Sequence, residues 1–143
     1  MRNIWITAPL FILLAGCANT PDELVKQPPK GTWTFTRNYK AVSECLVQAL
    51  NHLTRPKAGE HFGERLIGVS HIETVIPGEV NDITQGGNAY NASYFVVRVE
   101  SSGSSTSTAR AFVIRTLATG IPEMIDEAAL TCGATQSGLP PKS

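Results

Sequence analysis

An excess of charge of either sign is missing from this chain. Twelve Lys and Arg are balanced by twelve Asp and Glu, a formal net charge of zero. No polyanion such as nucleic acid is therefore an expected partner. Long apolar runs are missing too. A helix needs about 20 apolar residues to cross a bilayer, and no stretch here reaches that length. Familiar catalytic motifs are also absent. There is no Gly-x-Ser-x-Gly for a serine nucleophile. There is no pair of histidines at i and i+4 for zinc, and Gly86-Gly87 has neither the Lys nor the spacing of a phosphate loop. No catalytic residue, metal site or cofactor is expected, and the chain does not read as an enzyme.

What is present begins at the N-terminus. Arg2 is followed by a mostly apolar stretch, Ile4 to Leu14, interrupted by Thr7 and Pro9, and then by Leu14-Ala15-Gly16-Cys17. A positive start, an apolar run of about 7–15 residues and small residues before a cleavage point are the parts of a signal peptide. The order Leu-Ala-Gly-Cys resembles the lipobox of bacterial lipoproteins. The resemblance covers the first 20 or so residues. It implies removal of residues 1–16 and attachment of acyl chains, palmitate among them, to Cys17. Several chains anchor stably where one holds only marginally. Within that family an Asp after the cysteine commonly retains the protein in the inner membrane. Ala18 stands there instead, so the implied location is the outer membrane, with the lipid anchor facing the periplasm. The plainer alternative is a cleaved secretory signal with an incidental cysteine.

Removing residues 1–16 from the 143 leaves 127, enough for one domain with an ordinary core. The loss of Arg2 leaves eleven basic residues against twelve acidic, a net charge near −1. Of the three cysteines, Cys45 and Cys132 remain once Cys17 is acylated. An even pair in an oxidising compartment reads as a disulfide. A crosslink closing so long a loop contributes roughly 4–5 kcal/mol in the chain-entropy account.

Four regions are expected: a signal peptide over 1–16, a lipidated Cys17 with a flexible, proline-bearing tether over 17–31, a folded domain over 32–133, and a disordered tail over 134–143. Thr32 to Arg37 alternates and is rich in β-formers, so a strand is predicted. Val42, Cys45, Leu46, Ala49, Leu50 and Leu53 then form one apolar helical stripe. Asn38 is placed to cap it and Pro56 to end it. Ile121, Met124, Ile125, Ala128, Ala129 and Cys132 form a second stripe. Pro122, Glu123 and Asp126 suit its first turns, and Gly133 its end. Both cysteines lie on these stripes, so two helices side by side on one sheet face would bring them together.

Between the helices the pattern is β. Leu66 to Ser70 and Ile72 to Ile76 are short apolar runs, Pro77-Gly78 a turn, Glu79 to Thr84 a weak strand, and Gln85 to Asn91 a loop. Tyr94 to Glu100 and Thr106 to Thr116 are the strongest strands, with Ser101 to Thr108 at their tip. The fold class is α+β. The order β-α-β-β-β-β-α gives an antiparallel sheet of about four or five strands, with both helices packed on one face and one disulfide between them.

A register with Arg98 opposite Arg110 puts Phe95, Val97, Val99, Ala109, Ala111 and Val113 on one apolar face toward the helices. Tyr94, Val96, Arg98, Arg110, Phe112 and Ile114 fall on the other. Opposed arginines are unfavourable, so a bulge or an anion is expected between them. That second face combines apolar and aromatic residues with arginine, as partner-binding surfaces do. It is the candidate docking face for a protein of the cell envelope, unless the tether, the 78–91 segment or another layer covers it.

The three histidines carry less. His61 lies beside Glu60 and Glu64 in a glycine-flanked stretch, where a metal or acid–base role is conceivable but a solvated loop is the simpler reading. His52 near a helix end suits the dipole, and His71 between strand runs is structural. Asp126-Glu127 reads as a solvated helix flank. The expected function is thus a membrane-anchored, non-catalytic assembly or protein-binding module of the envelope. The alternatives are a small-molecule-binding lipoprotein, an enzyme inhibitor, or a small enzyme using His61 and Glu64.

Overall fold

The strongest local signals in the chain are its two apolar helical stripes, and both form helices. The computed structural model describes residues 20–54, 69–87, 92–114 and 120–141. The signal peptide and Cys17, the His61 segment with Glu60 and Glu64, and residues 88–91 and 115–119 lie outside them. In chain order the elements are α1 (Pro21–Leu24), β1 (Gly31–Phe35), α2 (Tyr39–Leu53), β2 (His71–Ile76), β3 (Val80–Gly87), β4 (Ala92–Gly103), β5 (Thr106–Val113) and α3 (Ile121–Thr131).

Helix α2 begins where Asn38 accepts a bond from the Ala41 amide through its side chain (2.9 Å). Its stripe buries Val42, Leu46 and Leu50 completely. Full burial of such side chains stabilises by roughly 1.5–3 kcal/mol each. At the far end Thr54 turns its hydroxyl back to the Leu50 carbonyl (2.9 Å). Helix α3 carries Pro122 in its first turn and buries Ile121, Ile125, Ala128 and Ala129. Beyond Cys132, Gly133 takes φ 91°, a left-handed ending that a side chain would oppose. The two helices pack together, and Cys45 and Cys132 are bonded across them with Cα atoms 5.8 Å apart.

The five strands form one antiparallel sheet in the order β1-β5-β4-β3-β2. Arg98 pairs with Arg110 and Val97 with Ala111, the register read from the sequence. Phe95, Val97, Val99, Ala109, Ala111 and Val113 are buried under the helices with Trp33, Phe35 and Ile83. Of the first run between the helices, Leu66 to Gly68 lie outside the described residues, Val69 and Ser70 are not in a strand, and β2 begins at His71. The weak strand after the Pro77-Gly78 turn extends to Gly87, taking in part of the expected loop.

Three expectations need correction. The tether is the first. Thr20 caps α1, Leu24 is fully buried, and the Lys30 amide bonds the Ala111 carbonyl (2.7 Å), so the fold starts near residue 20 and not at 32. Leu24 and Val25 are the apolar pair in that polar stretch, and the sheet supplies a site for them. The tail is the second. Ala134 bridges Phe35, the Thr135 amide bonds the Thr34 carbonyl (3.1 Å), and the Thr32 amide bonds the Gly138 carbonyl (3.1 Å). An edge strand leaves backbone groups unpaired, and this segment pairs them along β1.

Asp126 is the third. It is no idle flank residue. Its carboxylate accepts bonds from the Trp33 indole N–H (2.7 Å), the Ser137 hydroxyl (3.0 Å to either oxygen) and the Gly138 amide (3.0 Å). Gly138 lies so close to the Trp33 ring and the Thr32 carbonyl that a Cβ would collide with that oxygen. The latch therefore needs both the carboxylate and the glycine.

Trp33 is the only tryptophan after residue 16. Asp126→Ala should free the tail and leave the indole N–H without its acceptor. Loss of such partly buried bonds costs about 1–3 kcal/mol. Denaturant titration should show a lower midpoint, and the Trp33 emission should shift to the red. An unchanged midpoint with unchanged emission contradicts the latch.

Candidate functional site

The apolar patch on the sheet face away from α2 and α3 is not an open surface. Leu24 of α1 seals Val96, Phe112 and Ile114, and Tyr94 and Val25 pack at the rim. These four sheet residues are thereby part of a second small core, which corrects their expected exposure. Of the covers the sequence allows, the one in place is the tether, through Leu24 and Val25, and distance along the chain hides where that pair lands.

The remaining two residues of that expected docking face, Arg98 and Arg110, meet carboxylates. Arg98 makes a two-pronged contact with Asp82 directly across on β3, Nε to Oδ1 and Nη2 to Oδ2, both 2.8 Å. Arg110 reaches Glu100 (2.6 Å). So the anion expected between the arginines is internal, supplied by Asp82 and Glu100. The Asp82 side chain is 4% exposed and that of Arg98 22%. The hydrogen bond to Asp82 above all, with the fields of Asp82, Glu100 and Asp22, raises the pKa of Arg98 although burial works the other way. A base with a raised pKa contributes its full stabilisation below its ordinary value and loses it only as pH climbs through the raised one. Arg98 therefore stays charged across the neutral range.

Of the three histidines, His52 and His71 are described, and His61 lies outside the described residues. His52 sits exposed in the last turn of α2. The Nε2 atom of His71 lies 3.0 Å from the Thr84 hydroxyl. Among the described residues no group of three or more His, Cys, Asp and Glu could hold a metal ion.

The open feature is at the edge of the sheet. All six residues of β2 are exposed, Ile72, Val75 and Ile76 among them, and Val69 just before it is 75% exposed. Among the described residues no strand pairs with the outer side of β2, whereas β1 at the opposite edge is closed by the tail. On the helix side, β2 and the start of α2 bound a groove of about 310 Å³, lined by Tyr39, Lys40, Glu44, Ile72, Thr74 and Asn81 and ended by the Pro77-Gly78 turn.

Two polar ties hold this groove in shape. Asn51 near the end of α2 pairs with Ser70 through both its side-chain atoms, donating to the Ser70 carbonyl (3.1 Å) and accepting from its amide (2.7 Å). It acts as a strand backbone would, and fixes where β2 starts. Under the groove Asn81 donates to the buried Ser43 hydroxyl (3.2 Å), which donates to the Tyr39 carbonyl (2.7 Å). Sequence reading missed this site because nothing in Ile72 to Ile76 says which strand becomes the edge.

An edge strand beside a helix-walled groove can take an extended peptide. Main-chain bonds hold the peptide while the groove receives alternate side chains. The pairing is limited by a register shift between Thr74 and Ile76, by Glu73, and by Pro77 after the strand. Such devices guard an edge against indiscriminate pairing. No protein-family model, no curated protein and no solved structure matches this chain.

Removing one partner of a buried ion pair costs 3–5 kcal/mol. Since Arg98 keeps some exposure, Asp82→Ala should cost about 3 kcal/mol, because Arg98 is left facing Arg110. Phe112→Asp should unfold the domain, since it puts a carboxylate under Leu24. Circular dichroism melts check both. A Phe112→Asp variant with wild-type stability contradicts the sealed face.

Proposed function

We propose that this chain is a lipid-anchored, non-catalytic protein-binding module of the bacterial envelope, which takes an extended segment of another envelope protein along β2. The anchor would be Cys17, acylated after cleavage behind Leu14-Ala15-Gly16, on the periplasmic side of the outer membrane. The Cys45–Cys132 bond is consistent with that oxidising compartment. The observation that carries the binding role is the pairing of an exposed edge strand with the groove between β2 and α2.

The chemistry of the groove describes the occupant. Ile72 and Tyr39 favour an apolar side chain, while Lys40 and Glu44 on the rim accept polar neighbours of either sign. Backbone groups of β2 would bond the segment on either side of Glu73. Stopping at the register shift, the contact is short. That fits a partner held by one segment in place of a broad interface.

A photo-crosslinking residue at Thr74, in full-length lipoprotein in intact cells, should trap one defined envelope protein. The same residue at Gln48, on the exposed side of α2, should trap none. Thr74→Arg fills the groove and should weaken capture at least about tenfold, a loss near 1.4 kcal/mol. Its melting temperature should hardly change, as befits an exposed position. Equal trapping at both positions, or undiminished capture by Thr74→Arg, refutes the edge as the docking site.

A further inference from the structure

We propose that the domain rides directly on the bilayer that holds its anchor, with the α1 face of the sheet turned to the lipid and α2 and α3 turned away. This rests on acylation of Cys17. Only three residue steps separate Cys17 from Thr20, the cap of α1. Fully extended, they span at most about 11 Å.

From Thr20 onward the chain is not slack. Leu24 is wedged over Val96, Phe112 and Ile114, and Lys30 is bonded to Ala111. The described chain therefore begins over the sheet face opposite the helices, and an anchor at Cys17 would lie within about 11 Å of that point. A helix with its side chains is about 10–12 Å across, so the outer side of α2 is set back from the lipid by the sheet and a whole helix.

Charge does not compete with this covalent constraint. Arg98 and Arg110 on the lipid-facing side are already paired with Asp82 and Glu100, and Lys26 with Glu23, which weakens the pull of this face on anionic headgroups. The orientation is set by the anchor and by Leu24, and added salt should not change it. As a consequence the groove between β2 and α2, on the helix side of the sheet, opens away from the membrane toward a periplasmic partner.

The test uses the acylated full-length protein in phosphatidylcholine vesicles carrying a headgroup acceptor dye. Donors are placed one at a time at Thr32→Cys, on the α1 face, and at Gln48→Cys, on the outer side of α2. Both positions are exposed. Energy transfer should be severalfold faster from residue 32 than from residue 48, and the difference should persist in high salt. Leu24→Asp should lift α1, lengthen the free chain to Lys30 and bring the two rates together. Equal rates in the parent protein overturn the orientation even if the Leu24 variant does not fold. A mature protein whose mass shows no acyl chains overturns the anchor and the orientation together. Acylated protein with equal rates overturns the orientation alone.

Discussion

Arg98 opposite Arg110 across β4 and β5 fixes the parity of the whole sheet. Side chains alternate between faces, so a slip of one residue would send Val97 and Ala111 outward and two arginines into the core. Two like charges in register are themselves unfavourable. The pair is tolerated because Asp82 stands directly across from Arg98 and Glu100 within reach of Arg110. These contacts also tie β3 and the hairpin into one register, so the charges that look like a liability specify the alignment. The floor under the helices and the bed for Leu24 both follow from that choice.

Each end of the chain then closes what the sheet leaves open. The N-terminal segment lays Leu24 over the apolar half of the second face. The C-terminal segment pairs the outer side of β1 and is held by Asp126. A domain this small buries a limited fraction of its surface. Closing a face and an edge with a few residues at each end adds apolar burial and satisfies backbone groups without another element. The disulfide joins the same two helices that cover the core, so it acts on the helical layer.

Where periodicity and count carry information, the sequence was legible. The stripes of α2 and α3, the bond between Cys45 and Cys132 on those stripes, the Asn38 cap and the β4–β5 register all follow from spacing. What spacing cannot carry is which distant segment meets an apolar patch. Leu24 in a proline-bearing stretch has the composition of a linker, and Ala134 to Gly138 has that of a tail. Both are ordered by single contacts with the sheet and not by their own pattern. Asp126 likewise has the helical position of a solvated carboxylate, and only the fold brings Trp33 and Gly138 to it. The candidate site lies in this second category. The exposure of Ile72, Val75 and Ile76 is a property of where β2 stands in the strand order.

That order gives the two edges different fates. β1 lies where the chain can return to it, since α3 ends beside it and delivers Ala134 to Phe35. β2 lies at the far side, reached from α2. Among the described residues it has no return segment, and only Glu73, the shift after Thr74 and Pro77 restrain it. One edge is closed by the Ala134–Gly138 segment, while β2 presents six exposed residues beside a groove, and the proposed docking of an extended segment rests on that asymmetry. In the proposed docking, Glu73, the register shift and Pro77 would shorten the stretch that can pair, which leaves selection among segments to the groove beside Ile72.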